Sequence, residues 1–489
     1  MCKPQMRAFI AGIICAFGQA PWQSTVLAVL GYAVAAVLWA QSSSPRNAAH
    51  VGWFFGLGTF LISVSWLAEP FLVEPERHAW MIPFALAGMA GGLALFWALA
   101  FYLSKRVRTG LWGLVAFWGL AELARGYVLT GFPWALPAYI WLDTPVAQIA
   151  SYIGPYGLTA MTFGLAALCA RAYLKKSYVA AAWPIVYVCA MVGSGAFIFA
   201  QPLPADTDHT LRIVQPNAAQ HLKWDPAYIP IFFERALDLS APEGADLVIW
   251  PETSVAAPLY AAQPYLEQIA TRSAPVQTVV GLQRVEGYRG YNSAAVIGTG
   301  GAVTQIYDKR HLVPFGEYMP LPNIMNALGL RSFTAQEGYG FSAGTEAALF
   351  DFGPLGKALP LICYEAIFPR DTRSETRPDW LLQITNDAWF GKLSGPQQSL
   401  AQARFRAIEL GLPMVRAANT GVSAITDARG TVRAFIPLGQ AGALNAILPS
   451  ALPPTLYARL GERGVFGFLI FVAVCAWLLP LRRIFRKTV

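Results

Sequence analysis

Leu361-Ile-Cys363-Tyr-Glu365 decides the fold class of this 489-residue chain, because it ends a short apolar run with a thiol and a carboxylate. Two other stretches have the same design, Leu247-Val-Ile-Trp-Pro-Glu252 and Ile306-Tyr-Asp-Lys309. Each places a reactive side chain where a predicted strand ends, which is the usual position of functional residues in α/β domains. The three stretches therefore predict an α/β domain with its site at the strand ends.

The segments around these stretches alternate between strand and helix patterns. Nine short runs are predicted to be strands: Leu211–Gln215, Asp246–Trp250, Val276–Leu282, Ser293–Gly298, Val303–Asp308, Ala358–Cys363, Trp380–Thr385, Met414–Ala417 and Val422–Asp427. Three stretches are predicted to be helices: Ala227–Asp238, Tyr265–Ser273 and Pro396–Leu410. Alternation over about 240 residues indicates one continuous α/β domain.

The chain on either side of this domain is strongly apolar. With 55% hydrophobic residues, 13% charged residues and a mean hydropathy of +0.42, the composition is that of a membrane protein. A helix needs about 20 residues to cross a bilayer. Eight spans are predicted, at residues 8–20, 23–41, 51–69, 80–103, 111–130, 145–170, 179–200 and 464–481.

The predicted fold is therefore a multi-span α-helical membrane bundle of about eight helices with an inserted α/β domain. Residues 1–200 hold the first seven spans, residues 201–463 the α/β domain, and residues 464–489 the last span and a basic tail. A cleavable signal peptide is the rival interpretation of residues 1–20, but no small-residue cleavage site follows the apolar run.

The net charge of +8 lies outside the α/β domain. Residues 201–463 hold 21 basic and 23 acidic side chains, whereas the remainder holds 15 and 5, so a nucleic-acid partner is not expected. Of those 15 basic residues, 13 fall in alternate connections: Lys3, Arg7, Arg46, Lys105, Arg106, Arg108, Arg171, Lys175, Lys176, Arg482, Arg483, Arg486 and Lys487. This positive-inside pattern predicts cytoplasmic termini and an α/β domain on the opposite side of the membrane.

Cys363 is the only one of six cysteines in the α/β domain. A lone thiol in an oxidising compartment favours a reactive role over a structural disulfide. The five histidines are scattered, without His-x-x-x-His or Cys-x-x-Cys spacing, and no glycine-rich phosphate loop is present. No metal and no cofactor are therefore expected.

Glu252, Lys309 and Cys363 resemble, in this order, the triad of the nitrilase, or carbon–nitrogen hydrolase, superfamily. The resemblance implies an α-β-β-α sandwich and acyl transfer through a thiol. Cys363 would be the nucleophile, Glu252 the proton acceptor, and Lys309 would stabilise the oxyanion together with the backbone N–H of Tyr364. Glu317 would be a second carboxylate that orients the lysine. Considered alone, Lys309 also fits the interpretation of a solvated lysine, and Cys363 fits that of an inert buried thiol.

Further segments resemble one membrane-embedded branch of this superfamily, the apolipoprotein N-acyltransferase family. They are Leu222-Lys-Trp224-Asp, His311-Leu-Val-Pro-Phe-Gly-Glu317-Tyr, Thr385-Asn-Asp-Ala-Trp389-Phe-Gly, Ala418-Asn419-Thr-Gly421, Glu122-Leu-Ala-Arg125 and Gly131-Phe-Pro-Trp134. By the family's pattern Trp224, Tyr364 and Glu365 line or support the site. Trp224 as a core aromatic and Glu365 as a helix-terminal charge are the plainer interpretations.

The resemblance covers essentially the whole chain and implies a ping-pong reaction. Cys363 would take a fatty acyl group from a phospholipid, expected to be the sn-1 chain of phosphatidylethanolamine, as a thioester. The N-terminal amine of S-diacylglyceryl-cysteine on an apolipoprotein would then accept it, in the last step of lipoprotein maturation. The implied partners are this phospholipid donor, the diacylated acceptor and the membrane, with the protein acting as a monomer.

Two alternatives stay open at this point. A membrane-bound amidase or nitrilase that hydrolyses a lipid amide or ester would share the first half-reaction, so the triad cannot separate it from a transferase. A transporter or lipid-binding protein with a degenerate nitrilase fold is a third possibility, against which the intact triad argues.

Overall fold

A computed structural model describes residues 3–320 and 340–485, with side chains to residue 478. Its amino-terminal part is helical. The helices are α1 (Lys3–Ala16), α2 (Thr25–Gln41), α3 (Pro45–Ser63), the single turn α4 (Pro75–His78), α5 (Ile82–Arg106), α6 (Gly110–Arg125), α7 (Ala150–Lys175) and α8 (Tyr178–Phe199). A long helix near the carboxyl terminus packs against α6 and α7 and returns the chain to this bundle.

Close packing in the bundle depends on small residues. A Cβ atom added to Gly12 of α1 would lie 2.2 Å from the carbonyl oxygen of Phe55 in α3. On the facing helix, a Cβ atom at Gly58 would lie 2.3 Å from the carbonyl oxygen of Phe9. Helices in membranes associate through backbone approaches of this kind, because apolar side chains gain nothing by leaving lipid.

Fewer helices meet the length and hydropathy of a membrane span than were predicted. In the described part of the chain three do so: Pro75–Arg106, Pro145–Lys175 and Tyr178–Phe199. Pro45–Ser63 and the following 3-10 helix Ser65–Leu72, bent by 46°, would together make a fourth. The amino-terminal region is thus consistent with a membrane part, while the count of eight stays a prediction.

Two helices end earlier than the predicted spans. The span at 8–20 ends at Ala16, where the chain turns before α2. The span at 111–130 ends at Arg125, because its guanidinium donates hydrogen bonds to the carbonyl oxygens of Phe132 and Trp134 and folds the chain back on the helix end. The basic tail residues Arg486 and Lys487 lie outside the described residues.

The middle of the described chain forms two six-stranded sheets. The first sheet has the order β12-β1-β2-β3-β4-β5, and the second has the order β11-β10-β9-β8-β7-β6. The strands of the first half are β1 (Thr210–Gln215), β2 (Leu247–Ile249), β3 (Gln277–Glu286), β4 (Arg289–Ile297) and β5 (Val303–Asp308). Those of the second half are β6 (Phe350–Asp351), β7 (Lys357–Ile362), β8 (Trp380–Thr385), β9 (Met414–Ala418), β10 (Ser423–Thr426), β11 (Val432–Ile436) and β12 (Gly442–Ile447).

The sheets face each other, and helices cover their outer faces. Helices α9 (Ile229–Asp238) and α10 (Gln263–Ser273) pack on the first sheet, and α11 (Gly395–Leu410) packs on the second. The remaining helices are α12 (Leu456–Leu460) and α13 (Glu462–Phe485). Apolar side chains that alternate along each strand fill both the inner and the outer layers. The result is the α-β-β-α sandwich that the triad resemblance implied.

All nine predicted strands are present, with ends that differ by a few residues. Three strands were missed. β6 has only two residues, whereas β11 and β12 lie on sheet edges and consist almost entirely of exposed or half-buried positions. The strand signal is weakest at such edges.

Candidate active site

The three predicted triad residues follow three different strands. Glu252 lies three residues beyond the end of β2, Lys309 directly follows β5, and Cys363 directly follows β7. The first two strands belong to one sheet and β7 to the other. Because the sheets face each other, the strand ends meet, and all three side chains are buried there.

Glu252 is held by hydrogen bonds on both of its oxygens. Its Oε1 accepts a hydrogen bond from Nδ2 of Asn292 at 2.7 Å, and its Oε2 accepts one from the backbone N–H of Asn386 at 2.7 Å. Nζ of Lys309 lies 3.7 Å from Oε1. The carboxylate is therefore fixed in position, with one oxygen facing the lysine.

Lys309 lies between two carboxylates. Its Nζ donates a hydrogen bond to Oε1 of Glu317 at 2.9 Å, and the same oxygen accepts one from Asn292 at 3.0 Å. Burial lowers the pKa of Lys309, but the charges of Glu317 and Glu252 outweigh burial and raise that pKa well above its ordinary value. The lysine is thus a permanent cation at neutral pH.

Cys363 lies at the turn that follows β7, in a strained backbone conformation. Its φ of 50° is in the left-handed region, which a side chain with a Cβ atom disfavours by about 1–2 kcal/mol. Burial, followed by the charge of Glu252, raises the pKa of the thiol well above its ordinary value, while Lys309 and a hydrogen bond with Thr385 lower it. At neutral pH the resting thiol therefore carries its proton and needs a base to remove it.

Glu365 ties the Cys363 turn to the Lys309 turn. Its Oε2 accepts the backbone N–H of Ile362 at 2.7 Å, and its Oε1 accepts the backbone N–H of Arg310 at 2.7 Å and the hydroxyl of Tyr307 at 2.8 Å. The side chain is fully buried. Glu365 does lie in the first turn of the 3-10 helix Cys363–Ile367, as the plainer interpretation has it, and its buried carboxylate in addition joins this turn to the turn of Lys309.

Tyr364 and Trp224 are placed differently from each other. Tyr364 is buried, and its hydroxyl donates to the carbonyl oxygen of Gly131 at 3.4 Å, so the residue after the thiol contacts the bundle. Trp224 is 39% exposed, which excludes the plain interpretation of a core aromatic. The ammonium of Lys223 lies 5.8 Å from the Trp224 ring.

Three residues at this site escaped prediction. Asn292 binds Glu252 from within β4, away from the strand ends where functional residues were expected. Asn386 binds Glu252 through its backbone N–H and not through its side chain. Lys223 is buried, and its Nζ donates to the carbonyl oxygen of Glu252 at 3.2 Å. Burial lowers the pKa of Lys223 to about 8, although the nearby charge of Glu252 opposes this shift. A lysine beside a tryptophan and an aspartate gives no sequence signal of burial.

Two family models match the chain. The model described as the apolipoprotein N-acyltransferase N-terminal domain matches residues 11–168, and the carbon–nitrogen hydrolase model matches residues 210–452. An apolipoprotein N-acyltransferase from Bradyrhizobium diazoefficiens is 36% identical over 90% of this chain and 87% of its own length. One from Caulobacter vibrioides is 35% identical over 96% and 93%.

The chain belongs to the apolipoprotein N-acyltransferase family. The predictions of this family and of an acyltransferase enzyme are thereby confirmed. Among solved structures, an amidase from Nesterenkonia sp. is similar to the nitrilase-like part, with 19% identity and a TM-score of 0.36 over 51% of this chain and 94% of that one. Within the described residues of this apolipoprotein N-acyltransferase family member, no group of three or more His, Cys, Asp or Glu side chains is placed to hold a metal ion.

Proposed function

We propose that Cys363 carries a fatty acyl group, as a thioester, from a phospholipid to the N-terminal amine of a diacylated apolipoprotein. The observation that carries this proposal is the buried set of one thiol, one permanent ammonium and two carboxylates. Glu252 and Lys309 both act on the thiol of Cys363, and Glu317 holds Lys309. Such a set can remove a thiol proton and stabilise an oxyanion away from water.

The first half-reaction uses Glu252 as the proton carrier. Glu252 takes the proton from the Cys363 thiol, and the thiolate sulfur forms a bond to the ester carbonyl carbon of the phospholipid. The ammonium of Lys309 and the backbone N–H of Tyr364 stabilise the resulting oxyanion. The bond between that carbon and the glycerol oxygen then breaks, and Glu252 returns its proton to the departing lysophospholipid.

The second half-reaction reverses these roles with an amine. The neutral N-terminal amine of the S-diacylglyceryl-cysteine attacks the thioester carbon, and Glu252 accepts a proton from the nitrogen. The carbon–sulfur bond breaks, and the proton passes to the Cys363 thiolate, which restores the free enzyme. Lys309 keeps its charge throughout, because two carboxylates lie beside it. Trp224, Tyr364 and Glu365 support the site.

The proposed membrane arrangement has eight spans, with the catalytic domain of residues 201–463 on the periplasmic face of the inner membrane and both termini in the cytoplasm. Seven long helices precede this domain and α13 follows it, within the described ranges. The basic residues of alternate connections support this orientation. The phospholipid donor, expected to be phosphatidylethanolamine cleaved at sn-1, and the lipoprotein acceptor both lie in the outer leaflet, where a monomer reaches them.

The test is an assay with both substrates. Detergent-solubilised enzyme is incubated with phosphatidylethanolamine labelled in its sn-1 chain and a synthetic diacylated lipopeptide, and the label is followed by mass spectrometry. We expect the label as an amide on the peptide nitrogen. Label released only as free fatty acid would contradict the transferase and favour the amidase or nitrilase alternative.

Matched cysteine variants control this assay. Cys363→Ser should abolish amide formation, whereas Cys169→Ser, which alters a half-buried thiol in α7, should leave it unchanged. Amide formation that survives Cys363→Ser would contradict the proposed nucleophile and favour a non-enzymatic or differently catalysed transfer.

A further inference from the structure

Asn292, in β4, contacts all three charged residues of the cluster beside Cys363. Its Nδ2 donates hydrogen bonds to Oε1 of Glu252 at 2.7 Å and to Oε1 of Glu317 at 3.0 Å. Its backbone carbonyl oxygen accepts the backbone N–H of Lys309 at 2.8 Å. The side chain of Asn292 is buried. One neutral residue thus joins both carboxylates to the strand end that carries the lysine.

Lys309 is shared unequally between the two carboxylates. Its Nζ lies 2.9 Å from Oε1 of Glu317, within hydrogen-bond distance, but 3.7 Å from Oε1 of Glu252, which is too long for a hydrogen bond. Among the described residues, the donor that does bind Oε1 of Glu252 is Asn292. Asn292 therefore holds the lysine-facing oxygen of Glu252, while the hydrogen bond of the ammonium goes to Glu317.

The orientation of the Asn292 amide follows from these neighbours. Ionised carboxylates only accept hydrogen bonds, so the NH2 group of the amide must face Glu252 and Glu317. Oδ1 of Asn292 is then buried, and it has no hydrogen-bond partner among the residues that the structure describes. A buried acceptor without a partner lowers the stability of a fold. The arrangement therefore favours the two carboxylates at a cost to the stability of the domain.

Glu252 and Glu317 share one NH2 group, so their like charges lie close together. Like charges disfavour the ionised form of each carboxylate, whereas a donated hydrogen bond favours it. We propose that Asn292 is a positioning residue that keeps Glu317 as the hydrogen-bond partner of Lys309 and holds Glu252 ionised, ready to take the proton of Cys363. Asn292 itself transfers no proton. The inference rests on the proposed role of Glu252 as the proton acceptor.

The test measures proton removal from the thiol without any acyl substrate. Full-length enzyme in detergent is treated with iodoacetamide between about pH 5 and about pH 9, and the alkylation of Cys363 is followed by peptide mass spectrometry. Asn292→Leu has nearly the same shape but no donor, and it should slow the alkylation about tenfold at neutral pH, the loss of one hydrogen bond to a charged group. The acid limb of its pH–rate profile should move up by about one pH unit, because ionised Glu252 loses a donor.

A matched control variant separates positioning from stability. Gln148 is also a buried amide, and its Nε2 donates to the backbone carbonyl oxygen of Arg429 at 3.0 Å. Gln148→Leu should therefore leave both the rate and the pH–rate profile of Cys363 alkylation unchanged. If Asn292→Leu lowers the melting temperature while its rate and profile coincide with those of the wild type, Asn292 is only structural and the proposal is wrong.

A second variant keeps the proposal testable if Asn292→Leu does not fold. Asn292→Asp keeps the shape of the side chain but adds a third carboxylate. Its acid limb should move further than that of Asn292→Leu, because another negative charge disfavours the ionised form of Glu252. A folded Asn292→Asp enzyme with the wild-type profile would overturn the proposal.

Glu252→Gln distinguishes a failure of this inference from a failure of the proposed function. If Glu252→Gln slows the alkylation of Cys363 but Asn292→Leu does not, Glu252 remains the base and only the inference about Asn292 is wrong. If Glu252→Gln is alkylated as fast as the wild type, Glu252 is not the proton acceptor, and the proposed mechanism fails together with the inference.

Discussion

Two buried charge clusters in this molecule use the same residue types in different proportions. In the bundle, Glu122 and Arg125 form an ion pair with 2.6 Å between Oε2 of Glu122 and Nη2 of Arg125, and both side chains are fully buried. Nε1 of Trp97 donates to the same glutamate at 2.7 Å. In the catalytic domain, by contrast, Lys309 forms ion pairs with both Glu317 and Glu252.

The ratio of cations to anions distinguishes the structural pair in the bundle from the cluster that we propose is reactive. The bundle cluster has one cation for one anion, and its remaining hydrogen bonds go to Trp97 and to backbone carbonyls, so nothing in it gains from moving a proton. The catalytic cluster has two anions around Lys309 and a protonated thiol beside them. Glu252 lies 3.7 Å from Nζ of Lys309, against 2.9 Å for Glu317, and is the carboxylate that we propose as the proton acceptor.

The largest expected effect comes from removing the carboxylate of Glu252. Glu252→Gln keeps one oxygen, which can accept from either Asn292 or the backbone N–H of Asn386, but it cannot accept a proton, so the rate of Cys363 acylation should fall about 10³-fold. The melting temperature should fall slightly, because one of these two buried N–H donors loses its acceptor. Single-turnover acylation followed by intact mass spectrometry measures the rate, and a loss below tenfold would remove Glu252 from its role.

The bundle pair should respond in stability instead. Arg125→Met leaves Glu122 buried without a cation, which should lower the free energy of unfolding by about 3 kcal/mol. The double variant Glu122→Leu with Arg125→Met should recover most of this loss, because no charge is then left unpaired. Thermal unfolding in detergent measures both. A double variant as unstable as Arg125→Met alone would contradict the account of a purely structural pair.

A smaller effect is expected at the other carboxylate of the catalytic cluster. Glu317→Gln removes the charge nearest Lys309, so the pKa of Lys309 should fall toward its ordinary value and the ammonium should be less firmly placed. Acylation should slow about tenfold, the loss of one charged hydrogen bond. A drop as large as that of Glu252→Gln would mean that the two carboxylates share one role.

The smallest effect concerns Lys223, whose pKa burial lowers from 10.5 to about 8. Between these values the unfolded chain binds more protons than the folded one, so the penalty that burial of this charge imposes on the fold is full below about pH 8 and shrinks as the pH rises toward 10.5. Lys223→Met should therefore raise the melting temperature by about 2 °C at pH 7. The gain should shrink by pH 10.

An exposed lysine provides the matched control for this last change. The side chain of Lys357 is 48% exposed, so Lys357→Met should show no such difference between pH 7 and pH 10. If Lys223→Met changes the melting temperature equally at pH 7 and at pH 10, the buried charge of Lys223 is not the cause of that change.

The sequence predicted the parts of the site that carry a local signal. Glu252, Lys309 and Cys363 each lie at the end of a predicted strand, which pointed to the fold, and their order along the chain resembles the nitrilase triad, which implied the chemistry. The α/β core was predictable for the same reason, since strands buried on both faces, such as β7 and β8, read as short apolar runs.

The parts without a local signal were not predictable. Asn292 is a polar residue within a strand, and its role follows only from the approach of Glu252 and Glu317. Helix lengths in the bundle were equally hidden. The Glu122–Arg125 helix ends where the guanidinium meets the carbonyls of Phe132 and Trp134, a contact that apolar composition does not show.

Intact mass spectrometry can detect directly whether Cys363 forms a thioester. Purified enzyme is incubated with phosphatidylethanolamine, and a diacylated lipopeptide is then added. We expect a hydroxylamine-labile acyl adduct on Cys363 that is absent from Cys363→Ser. This adduct should disappear as the peptide becomes triacylated. No adduct, or an adduct lost equally fast without the peptide, would contradict it.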